Sequence, residues 1–182
     1  MMISHRFVVI SGVPGSGKST VGRALAEQLD ISYLDKDEIL ESLFNELECS
    51  NEETRHRLSR EADQNFQAKA LGFKRAVLDS FWRHPLADTL SGTPSSWLTS
   101  PDVHAVEVLC DCSPGLAATR FLNRKRHTGH LDNAWTYASL VAQSEKLMRK
   151  LPLGVGALVE IDTTDKVDLK QLAAEVRTAL NV

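Results

Sequence analysis

Residues Gly12 to Thr20 read Gly-Val-Pro-Gly-Ser-Gly-Lys-Ser-Thr and fit the pattern G-x-x-x-x-G-K-[ST], with a further hydroxyl behind it. Glycines at these spacings let a backbone curl around an anion with φ values that a Cβ disfavours. The curl turns successive N–H groups inward as a nest, at the positive end of a helix. The β- and γ-phosphates of a nucleotide suit that geometry. Gly12, Pro14, Gly15, Ser16 and Gly17 would form the cradle. Lys18 would neutralise charge on a transferring γ-phosphoryl group, Ser19 would take one position on Mg²⁺, and Thr20 would support it from behind. The pattern carries this meaning only between a strand and a helix. The chain supplies both. Arg6 to Ile10 is an apolar run suited to a buried parallel strand, and Thr20 to Leu29 sets Val21, Leu25 and Leu29 at helical spacing.

Moving a phosphoryl group to a hydroxyl also needs a carboxylate that orients the hydroxyl and takes its proton. Asp35 and Asp37 follow a short apolar strand, Ile31 to Leu34. Asp37 is the first choice as base; Asp35 could instead hold a Mg²⁺-bound water or the acceptor. Either could also cap the helix that begins near Glu38. Asp79 ends a third strand, Arg75 to Leu78, where a carboxylate can hold Mg²⁺ through water or bind an acceptor. Arg83 could clamp a polar or anionic acceptor group, or lie at the surface. Arg120, Arg124, Lys125 and Arg126 form a basic cluster. A mobile lid commonly carries arginines over a transferring group, and Arg120 and Arg124 stand i, i+4 on a helix that reaches about Arg124. A solvated helix C-terminus would favour the same charges. His127 and His130 have no evident partner for a metal site and suit lid packing or acceptor contacts. Trp82, Trp97 and Trp135 suit the core.

These groups need a frame. A fourth strand covers Val103 to Leu109, and Ser113-Pro114 caps a helix with Pro at its first position. A helix from about Asn133 to Lys150, a fifth strand from Ala157 to Ile161 and a closing helix from Val167 to Leu180 follow. Alternating strands and helices make an α/β domain with a parallel sheet and right-handed crossovers. Ligands of such sheets lie outside the carboxyl ends of the strands, where the glycine-rich turn, Asp35, Asp79, Asp111 and Asp162 all fall. Asp111 and Asp162 read as capping residues. Residues Leu86 to Pro101, rich in Ser, Thr, Pro and Gly, read as a short helix and loops.

The 182 residues suffice for one domain with a good core. A net charge of −3 does not advertise a nucleic-acid or membrane partner. Cys49, Cys110 and Cys112 make no C-x-x-C pair and no even framework, which suits reduced thiols in a cytoplasmic protein. The only apolar run near the N-terminus is strand-sized, so no signal peptide is expected, and nothing approaches transmembrane length.

The glycine-rich motif, the Leu34-Asp35-Lys36-Asp37 rim, the Val77-Leu78-Asp79-Ser80-Phe81 strand end and the basic run from Arg120 to His127 occur in an order that resembles the small P-loop kinases. That group includes gluconate kinase, shikimate kinase, chloramphenicol phosphotransferase and the kinase domain of polynucleotide kinase, and the chain resembles an AAA-type P-loop kinase of unknown substrate. The resemblance implies a P-loop NTPase fold over residues 1–182. Its five-stranded parallel sheet would run in order 2-3-1-4-5, with helices on both faces and a lid at about 120–132. It implies ATP and Mg²⁺. In that group the acid after the second strand often serves as base, matching Asp37 and less closely Asp35. Its lid arginines match Arg124, Arg120 and Arg126, and Asp162-Thr163-Thr164 resembles the stretch that borders the adenine. The Leu86 to Pro101 region matches no acceptor pattern, and Asp79-Ser80-Phe81-Trp82-Arg83 only loosely resembles the Asp-Gly-Phe-Pro-Arg of nucleoside monophosphate kinases. The expectation is a cytoplasmic ATP-dependent kinase, monomer or homodimer, acting on a hydroxyl of a small molecule. The alternatives are a polynucleotide 5′-hydroxyl or nucleoside/nucleotide kinase, and a nucleotide-binding switch protein without a small acceptor.

Overall fold

Burial of both faces of the central strands sets the architecture. In β1 (His5–Ser11), Phe7 and Val9 pack into one apolar cluster and Val8 and Ile10 into another, all four fully buried. Successive strand side chains point to opposite faces, so a strand buried on both must sit inside a sheet with two covered faces. The computed structural model, which describes residues 4–87 and 90–181, places β1 there. It lies between β3 (Arg75–Asp79) and β6 (Val103–Asp111). β2 (Ser32–Asp35) flanks β3 and β7 (Ala157–Asp162) flanks β6, every pair parallel. The two-residue strands β4 (Trp82–Arg83) and β5 (Thr93–Pro94) pair with each other. Setting them aside, the order 2-3-1-6-7 is the expected 2-3-1-4-5.

Helices α1 (Lys18–Leu29) and α6 (Leu169–Leu180) cover the face of Val8 and Ile10. Helices α2 (Lys36–Glu46) and α3 (Glu52–Ala70) cover that of Phe7 and Val9. Helices α4 (Pro114–Asn123) and α5 (Tyr137–Met148) pack together beside the glycine-rich turn. Two boundaries correct the sequence reading. α5 begins at Tyr137 rather than Asn133, because Thr136 and Ser139 form a reciprocal capping box. α4 stops at Asn123 and Arg124 is extended, so Arg120 and Arg124 do not share a helix face. Residues 120–123 are the last turn of α4, and the irregular segment that leaves the body begins at Arg124. Within the Leu86 to Pro101 region lie β5 and a 3₁₀ turn, Ser96–Thr99; residues 88 and 89 fall outside the described residues. Trp82 is core, donating Nε1–H to Ile10 O at 2.9 Å, and Trp97 packs edge-on against Phe7. Trp135 is exposed instead. Among the described residues no helix is long and apolar enough to cross a membrane.

A buried carboxylate braces the root of the glycine-rich turn. Glu107 on β6 accepts from Ser11 Oγ at 2.6 Å, Leu153 N at 2.8 Å and Gly154 N at 3.0 Å. Ser11 is the last residue of β1, so this side chain joins the turn's base to the connection before β7. Glu107→Leu would leave one hydroxyl and two backbone N–H groups without partners. Urea unfolding of this variant should show a loss of ~2–4 kcal/mol. A loss below ~0.5 kcal/mol, the size of an ordinary surface change, would show that Glu107 braces nothing.

Candidate active site

The glycine-rich turn is built as a cradle. Gly12, Gly15 and Gly17 have φ of 139°, 85° and 90°. A Cβ on Gly15 would meet Ala117 O at 2.1 Å, so α4 closes directly over the turn. Gly17 occupies the N-cap of α1 without any side-chain cap. The other five α-helices are capped by Asp35, Asn51, Ser113, Thr136 and Asp168. The first N–H groups of any helix lack intrahelical acceptors, so among the α-helices of the described residues α1 alone presents them unclaimed by a cap. Ser16 Oγ, buried and without a partner among the described residues, lies in the same turn. Lys18 folds its Nζ back onto Gly12 O and Val13 O, at 3.0 and 3.1 Å. Loss of hydration lowers its pKa, against the pull of Asp79. Thr163 supports the turn from behind, its Oγ1 2.7 Å from Ser16 O and 2.9 Å from Asp111 O.

The acids converge beside this turn because of register. Asp35 on β2 pairs with Asp79 on β3, and neighbours in a parallel sheet project to the same side. Asp35 also caps α2, its Oδ1 accepting from Asp37 N at 2.9 Å, so the capping use exists alongside any other. Loss of hydration, then the charges of Asp79 and Asp37, push the Asp35 carboxyl up to about 7. Tyr33, which belongs to no motif, donates to Asp79 Oδ2 at 2.8 Å and lies 3.3 Å from Asp35 Oδ2. No cluster of three or more His, Cys, Asp or Glu able to hold a metal occurs among the described residues. A magnesium ion would therefore depend on Ser19, on phosphate oxygens, and on Asp79 and Asp35 through water. The charge balance suits that arrangement, since the two acids lie together, with Arg23 at 3.7 Å from Asp35 and Lys18 near Asp79.

Asp37 faces the irregular segment. Arg126 Nη2 donates to Asp37 Oδ2, and Arg126 Nη1 to Asp132 Oδ2 at 2.8 Å. Crowding by protein atoms raises the Asp37 pKa, but Arg126, then His130 and Lys36, outweigh it and hold the carboxyl below its ordinary range. Arg124 lies over the Phe121 ring, 4.2 Å from its centroid. Its pKa falls to about 10 through loss of hydration and the neighbouring Arg126, so it stays charged near neutrality. Arg120 points elsewhere, its Nη2 donating to Thr163 O at 2.8 Å. The histidines pack the segment onto α2. His127 stacks on Phe44, and buried His130 meets Glu41 Oε1 at 2.9 Å. Arg55 Nε holds His130 O at 3.0 Å.

The structure thus gathers Lys18, Ser19, Asp35, Asp37, Asp79, Arg124 and Arg126 at one end of the turn. It sets Arg120 and Thr163 against Ser16 and Gly17, and Arg83 on β4 beside a cavity of about 60 Å³ that also touches Gly12, Phe81 and Leu151. Tyr33, Glu41, Arg55 and Asp132 carry no sequence signal, because only the folded chain brings them to the site. Asp162 closes its own turn by accepting from Thr164 N at 2.7 Å, the structural role expected of it.

The AAA domain family matches residues 8–135. The shikimate kinase of Ruegeria pomeroyi is 49% identical over 41 residues, which are 22% of this chain and 21% of that protein. The chain thus spans about a fifth of the length of this curated relative. Among solved structures, a candidate kinase from Chloroflexus aurantiacus aligns over 97% of this chain and 98% of its own, with a TM-score of 0.80 and 25% identity. A sugar kinase from Janibacter sp. HTCC2649 aligns over 98% and 95%, with a TM-score of 0.56 and 18% identity, a likeness of fold.

Asp35 gives the ligand-free protein a definite pH dependence. A carboxyl raised from 3.8 to about 7 in the folded chain favours folding fully below the unfolded value. That contribution is lost as pH rises through about 7. Asp35→Asn keeps a good helix cap and removes the charge. Thermal unfolding without nucleotide or magnesium should show the variant gaining on the parent between pH 4 and pH 8, by at most ~4 kcal/mol. Parallel curves would show that Asp35 titrates normally.

Proposed function

Since the chain belongs to the AAA domain family and to the small P-loop kinases, we propose that it is an ATP-dependent kinase that transfers the γ-phosphoryl group to a hydroxyl of a small molecule. The observation that carries this is the Asp37–Arg126 pair, an ionised carboxylate beside an anion-ready helix start and covered by an arginine of an irregular segment. A switch protein needs no such carboxylate. The cover over Asp37 is a lid arginine and not packed core, which also weighs against that alternative.

The roles follow from charge and position. The N–H groups of the turn and Lys18 hold the β- and γ-phosphates. Ser19, with Asp79 and Asp35, holds Mg²⁺, which supplies charge neutralisation at the phosphate oxygens. Arg124 and Arg126 stabilise the transferring group, while Arg120 and Thr163 border the nucleotide's other end. Asp37 orients the acceptor hydroxyl and takes its proton. Arg126 must leave Asp37 to reach phosphoryl oxygens. Its departure removes the charge that depresses the carboxyl's proton affinity, so Asp37 becomes a better base when phosphate is present. Arg83 flanks the acceptor side. The shikimate and sugar kinases among the similar proteins favour a small hydroxylated acceptor, and the net charge of −3 disfavours a nucleic acid. The protein is placed in the cytoplasm, as monomer or homodimer.

A screen of hydroxylated metabolites for ATP consumption tests this reading. Lys18→Ala should cut turnover of the acceptor found by ~10²–10³, as loss of one electrostatic stabiliser does. Asp37→Asn should keep the thermal shift produced by ATP with magnesium while turnover falls by ~10²–10⁴. Absence of any thermal shift with ATP or GTP plus magnesium would sink the proposal, and normal turnover in Asp37→Asn would remove Asp37 as base.

A further inference from the structure

Tyr33 and Asp35 are alternate residues of β2, so they share a face of the sheet. The register sets them opposite Val77 and Asp79 of β3. Phenol and both carboxylates therefore lie on the side that α1 covers. A Cβ on Gly22 would stand 2.9 Å from Tyr33 Cε2. Glycine inside a helix is disfavoured by about 1 kcal/mol relative to alanine, and the close approach of this ring accounts for it here. Gly22 stands three residues after Ser19, on the same helix face. The ring under Gly22 thus carries its hydroxyl to the gap between Ser19, Asp35 and Asp79, where it also meets the Ser19 side chain. Arg23 closes the outer side, its guanidinium 4.7 Å from the ring centroid and 3.7 Å from Asp35 Oδ2.

We infer that Tyr33 is a positioning residue for the magnesium–nucleotide complex: its hydroxyl holds Asp79 and Asp35 in the rotamers that present their carboxylates beside Ser19. The inference rests on the proposed assignment of those three residues to magnesium. One phenolic hydrogen aimed at Asp79 Oδ2, with Asp35 Oδ2 at 3.3 Å, restrains two acids that would otherwise turn away from each other's charge. Burial and both acids push the phenol's pKa up, so it remains a donor. Outer groups that orient a metal's carboxylates typically change metal affinity by ~10–100-fold.

Calorimetric titration with ADP, with and without magnesium, tests this without knowledge of the acceptor. Tyr33→Phe keeps the ring against α1 and removes only the hydroxyl. Its magnesium-free ADP affinity and thermal unfolding should match the parent, while the gain in ADP affinity on adding magnesium should shrink by ~10-fold or more. An equal gain in parent and variant overturns the role of Tyr33 and leaves the kinase proposal standing. No gain in the parent overturns the magnesium assignment and the inference with it. Gly22→Ala displaces the ring and keeps the hydroxyl; it should lower the gain in the same direction, and it decides the matter should Tyr33→Phe fail to fold.

Discussion

An α-helix with no side-chain cap at its N-terminus is the constraint around which this molecule is arranged. Leaving a side-chain cap out of α1 forgoes roughly a few tenths of a kcal/mol when glycine stands there, and placing Gly17 in a left-handed conformation commits the turn to glycine. An open turn with these properties would collapse or drift unless held from outside. Three contacts hold it. Glu107 grips Ser11 at its root, Thr163 grips the Ser16 carbonyl from behind, and α4 presses on Gly15 from above. Glu107 comes from β6, Thr163 from just beyond β7 and Ala117 from α4. The cradle is thus a property of the whole sheet rim rather than of nine residues.

Around that turn the charges are sorted by sign. Asp35 and Asp79 are brought together by register on the α1 side, while Arg124 and Arg126 approach from the segment after α4. Two carboxylates in a dry setting repel, which is why Asp35 resists ionisation. Asp37, only two residues on, behaves in the opposite way because an arginine faces it. Neighbouring acids of one sequence motif therefore sit in opposed electrostatic states. One is suited to gain a cation and the other to exchange one partner for another.

The apolar run Phe7 to Ile10 and the glycine-rich pattern made the buried strand, the turn and the acidic rim readable from the chain alone, because each depends on residues close in sequence, whereas the strand order followed from the resemblance to the small P-loop kinases. Groups that meet across long separations left no such trace. Tyr33 and Asp79 lie 46 residues apart and Arg126 and Asp37 89 apart. Nothing in a one-dimensional pattern reports which of several arginines will find which acid. The end of α4 departs from the sequence expectation for a related reason. Residues 120–126 have ordinary helical propensity, but Arg126 is drawn onto Asp37 and Asp132, and the backbone turns out of the helix at Arg124. Tertiary ion pairing outweighed local preference there.

The two carboxylates that share Arg126 differ in what surrounds them, and the difference bears on how Arg126 would serve the proposed reaction. Asp132 belongs to the same segment as Arg126; Asp37 belongs to α2. The segment is also seated on α2 by the His130–Glu41 contact and the stacking of His127 on Phe44. An arginine carrying its own carboxylate loses little when it exchanges its second partner, because half of its donors stay satisfied throughout. In the proposed reaction an arriving phosphoryl group would need only to outbid Asp37, an acid of single charge, for one end of the guanidinium fork. The unliganded contact and the liganded one would then differ by a short displacement about a pivot that α2 and Asp132 already hold in place.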